Sequence, residues 1–239
     1  MREFPRKVIE KDLVVIGAGP AGLCAAIAAA RMGQTVALVT DRPVLGGSAS
    51  SEVRVTPSGA DAPPWNRFAR ETGIMEEMTL RLAHKTEVSG IWRWLQYDEL
   101  YFDLVCAEPN LEFFLNTTIY KAYCSTPGHI DAVEGVQLRA ENILEFRGRL
   151  FVDASGDGVV GYLAGAEYRV GRESKAEFNE VYAPEVADKG TMGATLLFST
   201  IDRGHPVPFQ APAWALDVRE LPTLLEPEKR VARNFYRLP

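Results

Sequence analysis

The sequence predicts an α/β fold: a parallel sheet with helices on both faces, a small antiparallel meander, a helical insertion and the start of a second domain. Three observations predict it. Between Asp12 and Val39 a β-branched apolar run, a glycine-rich turn, an alanine-rich stretch and a second apolar run follow one another. A later apolar run, Leu150 to Val152, passes into the small and acidic residues Asp153-Ala154-Ser155-Gly156-Asp157-Gly158. Between these two, Leu111 to Leu115 and Thr117 to Tyr123 are strand-like, and Ile130 to Leu138 and Asn142 to Phe146 alternate in the manner of antiparallel strands.

The first unit is the most informative. Asp12-Leu-Val-Val-Ile16 suits a buried parallel strand. Gly17-Ala18-Gly19-Pro20-Ala21-Gly22 follows, then Leu23 to Met32, a good helix former stopped by Gly33. Thr35 to Val39 is the second strand. In such a β-turn-α-β unit each glycine has its own reason. Gly17 permits the tight turn, Gly19 removes a Cβ where a pyrophosphate approaches the backbone, and Gly22 lets helix and strand pack closely. The helix start offers free N–H groups and a partial positive charge, which suit a diphosphate. The unit therefore reads as a dinucleotide site.

An acidic residue commonly closes the second strand and holds the adenosine ribose. Here Thr40 takes that place and Asp41 follows it. Asp41 is either the ribose ligand from one residue later or a solvated turn residue before Arg42-Pro43. Arg42 raises the alternative of a 2′-phosphate, hence NADP. Val44-Leu45-Gly46-Gly47-Ser48 then places a second glycine pair where the chain turns back towards the diphosphate. The polar stretch Ser48 to Gly59 reads as a loop passing a bound ligand, where a nicotinamide-only domain would continue into another βα unit. The Asp153 to Gly158 turn has two readings: a backbone lying beside the cofactor, or a strand-to-helix turn with Asp157 as N-cap. Val159 to Ala164 is a short helix ended by Gly165.

The stretches IGAGPAGLCAAIAAARMG, DRPVLGGSASSEVRV and FVDASGDGVVGYLAGAEYRVGRE resemble the FAD-dependent oxidoreductases of the glutathione-reductase type. Within these they are most like a bacterial group with a DRPVLGG-x-ASSE stretch. The resemblance runs from about Asp12 to Ala215 and implies a glutathione-reductase-like FAD/NAD(P)-binding Rossmann fold with FAD as cofactor. It implies that Gly17, Gly19 and Gly22 frame the FAD diphosphate, with Ala18, Pro20 and Ala21 in the same turn. Asp41 and Arg42 would lie by the adenosine ribose. Gly46, Gly47 and Ser48 would continue the diphosphate contact, and Ser50-Ser51-Glu52-Val53-Arg54 would run towards the isoalloxazine ring. Ile119 would present its backbone to adenine, and Ser155, Gly156 and Asp157 would close over the diphosphate and ribityl chain. Thr40 departs from the glutamate many such flavoproteins carry.

Residues 8–47 and 108–170 are expected to form a discontinuous FAD domain, 48–107 a helical insertion, and 171–239 a partial substrate domain. In the insertion, Trp65 to Lys85 and Val88 to Ala107 read as helices broken near Glu87. Trp92, Trp94, Leu95, Tyr101, Phe102, Leu104 and Val105 read as their core side. Leu111 to Leu115 and Thr117 to Tyr123 are strand-like, and Ile130 to Leu138 and Asn142 to Phe146 are antiparallel strands split by Arg139-Ala-Glu141. Gly193 to Ser199 reads as the first strand of the substrate domain, and the proline-rich Pro206 to Pro239 shows no periodicity. In the resembled family the substrate domain runs on past this length and a final stretch returns to the flavin. The chain is therefore expected to be a truncated frame, or one subunit of a split or homo-oligomeric enzyme whose partner supplies the remainder.

Composition narrows the partners. The 239 residues are 46% hydrophobic and 24% charged, with net charge −6, which is globular and poorly suited to nucleic acid. Arg2, Arg6, Lys7 and Lys11 before an apolar run mimic a signal peptide or membrane span, but Gly17, Gly19, Pro20 and Gly22 break that run. No nucleic acid and no membrane partner is expected, and the compartment is the cytoplasm. Cys24, Cys106 and Cys124 have no paired spacing, and His84, His129 and His205 no metal-ligand spacing. No metal is expected. Cys24 reads as a small core residue, His129 and His205 as solvated loop positions, and Tyr162 and Tyr168 as packing residues. Glu52 and Arg54 are the best-placed ionisable pair near the flavin, or else a surface salt bridge. The catalytic residues are not assigned. The function read is the FAD-binding portion of a flavin-dependent oxidoreductase acting on a small-molecule substrate. A non-catalytic nucleotide-binding subunit and an NAD(P)-binding dehydrogenase domain are the alternatives. The latter predicts continuous βαβαβ after Val39.

Overall fold

The computed structural model describes residues 4–55, 57, 60, 66, 68–86, 93–192, 201–208, 210 and 212–214. Two units separate, Met1–Ala194 and Thr195–Pro239. In the second, the described residues carry no helix or strand, and the strand expected over Gly193 to Ser199 lies outside the described residues.

The first unit is built on one mixed sheet of six strands. These are β1 (Arg6–Ile16), β2 (Val36–Val39), β3 (Leu111–Phe114), β4 (Thr118–Tyr123), β5 (Ala132–Gln137) and β6 (Asn142–Asp153), in the spatial order β3-β2-β1-β6-β5-β4. β3, β2, β1 and β6 run parallel, while β6, β5 and β4 form an antiparallel meander. The α/β prediction with parallel sheet and meander is what is found. The helices are α1 (Pro20–Arg31), α2 (Gly73–Thr86), α3 (Arg93–Cys106), α4 (Val159–Leu163) and α5 (Lys175–Phe178).

Alternation along the central strands sorts their side chains to two faces, both buried. Val15, Val36 and Leu38 join Leu23, Ala26, Ile27 and Ala30 of α1, Met78 and Leu82 of α2, and Leu100, Tyr101, Leu104 and Val105 of α3. Val14, Ile16, Ala37 and Val39 join Ile119, Val133, Leu144, Phe146 and Val160 of α4. Each large apolar side chain removed from water in this way contributes about 1.5–3 kcal/mol. α2 and α3 lie in the connection between the parallel strands β2 and β3, which requires a long crossover. They share the core of α1.

Several boundaries differ from the sequence reading. β1 starts at Arg6, because Arg6 to Lys11 pair with Ile143 to Gly148 of β6. The runs at Asn142 and Leu150 are one strand. They join through Gly148, where a Cβ would stand 2.9 Å from the Val14 side chain. α2 starts at Gly73, whose φ is +64°, so residues 68–72 are not helical. Trp92 and the expected helical residues 88–91 lie outside the described residues. Tyr101, Leu104 and Val105 are core, but Phe102 is half-exposed and meets Phe113 edge-on at 5.6 Å.

The meander carries its own polar core. Glu134 and Glu145 are buried, and alternation sends them away from the face occupied by Val133, Leu144 and Phe146. Arg6 meets Glu134 at 2.6 Å and Glu145 at 3.1 Å. Tyr120 and Tyr123 donate their hydroxyls to Glu134 at 2.5 and 2.9 Å. Burial alone would raise the Glu134 carboxyl, but these donors and Arg6 outweigh it and hold the group below its ordinary range.

Candidate functional site

The C-terminal ends of β1, β2 and β6 converge. The Gly17 N–H donates to the Val39 carbonyl at 2.7 Å, and the Ala154 N–H donates to the Ile16 carbonyl at 2.7 Å. Three glycines of the first turn differ in what surrounds them. Gly17 has φ +102°, and a Cβ there would lie 2.0 Å from the Ala154 oxygen. A Cβ on Gly22 would lie 1.8 Å from the Gly17 oxygen. On Gly19 a Cβ would meet nothing within 4 Å. Gly17 and Gly22 thus serve protein packing, and Gly19 faces open space.

That space lies at the start of α1. Gly19 is its N-cap without a side-chain hydrogen bond, Pro20 opens the helix, and no acidic residue occupies the first turn. Pro20 has no N–H, and the first-turn N–H groups of Ala21 and Gly22 have no acceptor inside a helix. Two donors and the positive end of the helix dipole lie beside a cradle at Gly19 that is open among the described residues. These residues fit the diphosphate of a dinucleotide.

The second glycine pair forms the adjoining wall. Gly46 donates to the Ala18 carbonyl at 2.7 Å, and its left-handed backbone packs under the Tyr101 ring, where a Cβ would stand 2.5 Å away. A Cβ on Gly47 would stand 3.0 Å from the Gly19 Cα, so the two turns touch. Gly47–Ala49 is a short 3₁₀ turn with Ser48 exposed. Ser50 is buried and donates its hydroxyl to the Gly47 carbonyl at 2.7 Å. Ser51 donates its N–H to Asp98 Oδ1 at 2.9 Å and its hydroxyl to Asp98 Oδ2. Glu52 is 3.7 Å from Arg42, and Arg54, at φ +64°, donates its Nε to the Ser51 carbonyl at 2.9 Å. The ionisable partner of Glu52 here is Arg42, not Arg54.

At the end of β2, Thr40 is buried and its hydroxyl accepts the Arg42 N–H at 3.4 Å. Asn116 and Thr117 donate their N–H groups to the Arg42 and Thr40 carbonyls at 3.0 and 2.9 Å. The segment leading to Ile119 therefore runs beside Asp41 and Arg42. Both side chains are exposed, 3.9 Å apart. The Ile119 side chain is in the core, which leaves only its backbone for a ligand.

At the end of β6, Asp153 accepts the Ser155 N–H and hydroxyl at 3.1 and 2.6 Å and the Gly161 N–H at 2.9 Å. Burial opposes its charge, but these donors prevail and hold the Asp153 carboxyl below its ordinary range. Ser155 Oγ accepts the Val159 N–H at 3.0 Å. The N-cap of α4 is Gly158, so the reading of Asp157 as N-cap is corrected. Asp157 is exposed, and a Cβ on Gly156 would meet nothing within 4 Å.

His129 lies 3.4 Å from Asp131, and His205 Nδ1 lies 3.1 Å from the Pro206 carbonyl. Among the described residues, no group of His, Cys, Asp and Glu is arranged to hold a metal ion, and no helix is long and apolar enough to cross a membrane. The three cysteines are free, and burial raises the Cys24 thiol. Tyr162 and Tyr168 pack edge-on against each other at 5.8 Å yet both are exposed. Sequence reasoning missed Asp98 and Asp153. The signal for Asp98 was a lone carboxylate on the helical stripe Trp94, Asp98, Tyr101 and Val105.

A model of the FAD dependent oxidoreductase family matches residues 12–235. Sarcosine oxidase subunit alpha of Corynebacterium sp. (strain U-96) is 39% identical over 78 residues, which are 33% of this chain and 8% of that subunit. The match thus spans under a tenth of that relative. Among solved structures, L-proline dehydrogenase from P. horikoshii is similar at 20% identity, covering 64% of this chain and 24% of that one with TM-score 0.37. Adenylylsulfate reductase from Archaeoglobus fulgidus is similar at 17% identity, covering 64% and 31% with TM-score 0.42.

Proposed function

The chain belongs to the FAD dependent oxidoreductase family, and from this premise we propose that it is the FAD-holding portion of a flavin-dependent oxidoreductase of the glutathione-reductase type. The observation that carries the proposal is the space at Gly19, where among the described residues nothing lies within 4 Å of a Cβ position, in front of an uncapped helix start.

In this reading the α1 N-terminus holds the diphosphate through the Ala21 and Gly22 N–H groups, with Gly17, Ala18 and Pro20 shaping the turn. Gly46, Gly47 and Ser48 close the diphosphate from the second turn. Asp41 accepts from the adenosine ribose hydroxyls, and the Ile119 backbone meets adenine. The turn of Ser155, Gly156 and Asp157 lies over the ribityl end. Bound there, FAD supplies the redox chemistry, while the protein supplies binding, orientation and electrostatics. Arg42 stands near two carboxylates, Asp41 and Glu52, and this leaves it poorly suited to a 2′-phosphate. The antiparallel meander after β3 also departs from the continuous βαβαβ of an NAD(P) dehydrogenase domain. The substrate is a small molecule, the setting is the cytoplasm, and the chain works with a partner chain or a second copy. The similarity to one subunit of sarcosine oxidase supports the partner.

The test is an absorption spectrum of the purified chain after loading with excess FAD and removal of free ligand. Retained flavin bands are expected. A folded sample that retains none, but is stabilised against heat by NAD or NADP, would overturn the reading.

A further inference from the structure

The loop from Gly46 to Arg54 stands on two supports. At its near end Gly46 donates to the Ala18 carbonyl and Gly47 rests on Gly19. At its far end Ser51 donates both its N–H and its hydroxyl to Asp98. Asp98 and Tyr101 are three residues apart on α3 and so share one face. The Tyr101 ring lies against Gly46 while the Asp98 carboxylate takes Ser51, so this one helix face touches both ends of the loop. α3 itself is fixed, because Leu100, Tyr101 and Leu104 are buried in the core shared with α1. The Ser51 hydroxyl is spent on Asp98. The part of the loop that touches the first turn is Gly47, at Gly19, and its placement depends on how the loop is anchored.

We propose that Asp98 is a positioning residue of the cofactor site, acting through Ser51 to seat the Gly46–Ala49 turn against Gly19. It touches no cofactor atom in this reading. The proposal rests on the FAD reading above and adds to it a residue from the helical crossover. Ser50 and Arg54 bond only within the loop, whereas the two charge-assisted hydrogen bonds that Ser51 donates to Asp98 tie it to a helix fixed in the core.

The test compares the parent chain with Asp98→Ala, Asp98→Asn and Ser51→Ala. The measurements are FAD titration by flavin fluorescence, the visible circular dichroism of the bound flavin, and thermal unfolding without FAD. Asp98→Ala is expected to weaken FAD binding about ten- to a hundredfold and to alter the bound-flavin dichroism. Asp98→Asn keeps an acceptor for the Ser51 N–H and a donor for its oxygen, so it is expected to restore affinity to within about threefold of the parent. Ser51→Ala keeps the N–H bond and is expected to fall between. Unchanged FAD affinity in Asp98→Ala overturns the proposal. So does a loss that Asp98→Asn fails to rescue and that follows the fall in apo melting temperature across all three variants. Absence of FAD binding by the parent chain is a separate result. It removes the FAD reading itself, and the positioning role falls with it.

Discussion

Gly19→Ala separates cofactor binding from folding. Gly19 has φ −68° and ψ 176°, an extended conformation open to alanine, and its Cβ would meet nothing within 4 Å. In the unfolded chain alanine is less free than glycine, which favours the folded variant by about 0.4–1 kcal/mol. Alanine is also a poorer N-cap than glycine, which offsets part of that gain. The apo melting temperature should therefore move by less than about 3 °C, taking 2–4 °C per kcal/mol for a domain of this size. With the diphosphate in the cradle, the same methyl overpacks it at a cost of about 1–3 kcal/mol, or roughly five- to 150-fold in the FAD dissociation constant. Gly22→Ala is the contrasting control. Its Cβ would stand 1.8 Å from the Gly17 backbone oxygen, so the apo protein should lose about 3 kcal/mol and melt about 6–12 °C lower. Flavin fluorescence titration and apo thermal melts read both variants. A Gly19→Ala protein that binds FAD as tightly as its parent would refute the placement of the diphosphate.

Other perturbations probe other parts of the structure. Asp41→Ala should leave thermal stability unchanged, because the side chain is exposed, while weakening FAD about tenfold in the same titration. Leu104→Ala should destabilise the apo chain by about 2–5 kcal/mol in urea unfolding, since Leu104 is fully buried between α3 and its neighbours. Lowering the pH should cost stability through Glu134 and Asp153. Both carboxyls sit below their unfolded values, so their contribution is whole above about pH 5 and is lost as pH falls through their folded values. Melting temperatures measured across that range should drop on the acid side, and Glu134→Gln should flatten part of the drop while lowering the plateau.

The glycine-rich turn, α1 and β2 were legible in the sequence because their determinants are local. Turn glycines, an alanine-rich helix and apolar strands lie within thirty or so residues of one another. The outer half of β1 was not, since Arg6, Lys7 and Lys11 read only as basic residues ahead of an apolar run. Their strand state comes from pairing with β6. The continuity of β6 was hidden for a related reason: the apolar runs end at Phe146 and resume at Leu150, and between them Gly148 lets the strand pass Val14, where a Cβ would stand 2.9 Å away. Tyr162 and Tyr168 looked like packing residues on composition and are exposed. At the candidate site, the glycines followed from their spacing, while the anchoring of Ser51 did not, because Asp98 lies 47 residues away along the chain. Side-chain networks that join distant segments leave no periodic trace.

The long pairing of β1 with β6 also orders events in time. Arg6 lies beside Ile143 and Ile16 beside Asp153, so the strands that meet beneath the cradle are roughly 140 residues apart in sequence, a separation that slows folding. During synthesis the first turn leaves the ribosome long before its partner strand exists. Gly17 cannot find the Ala154 backbone, nor Ile16 its outer neighbour, until the meander has emerged and closed. Meanwhile β1 presents an unpaired edge to the solvent. The first turn thus reaches its final packing only after β6 has been made, and a ligand that captures the completed turn would act on the end of folding and not on its beginning.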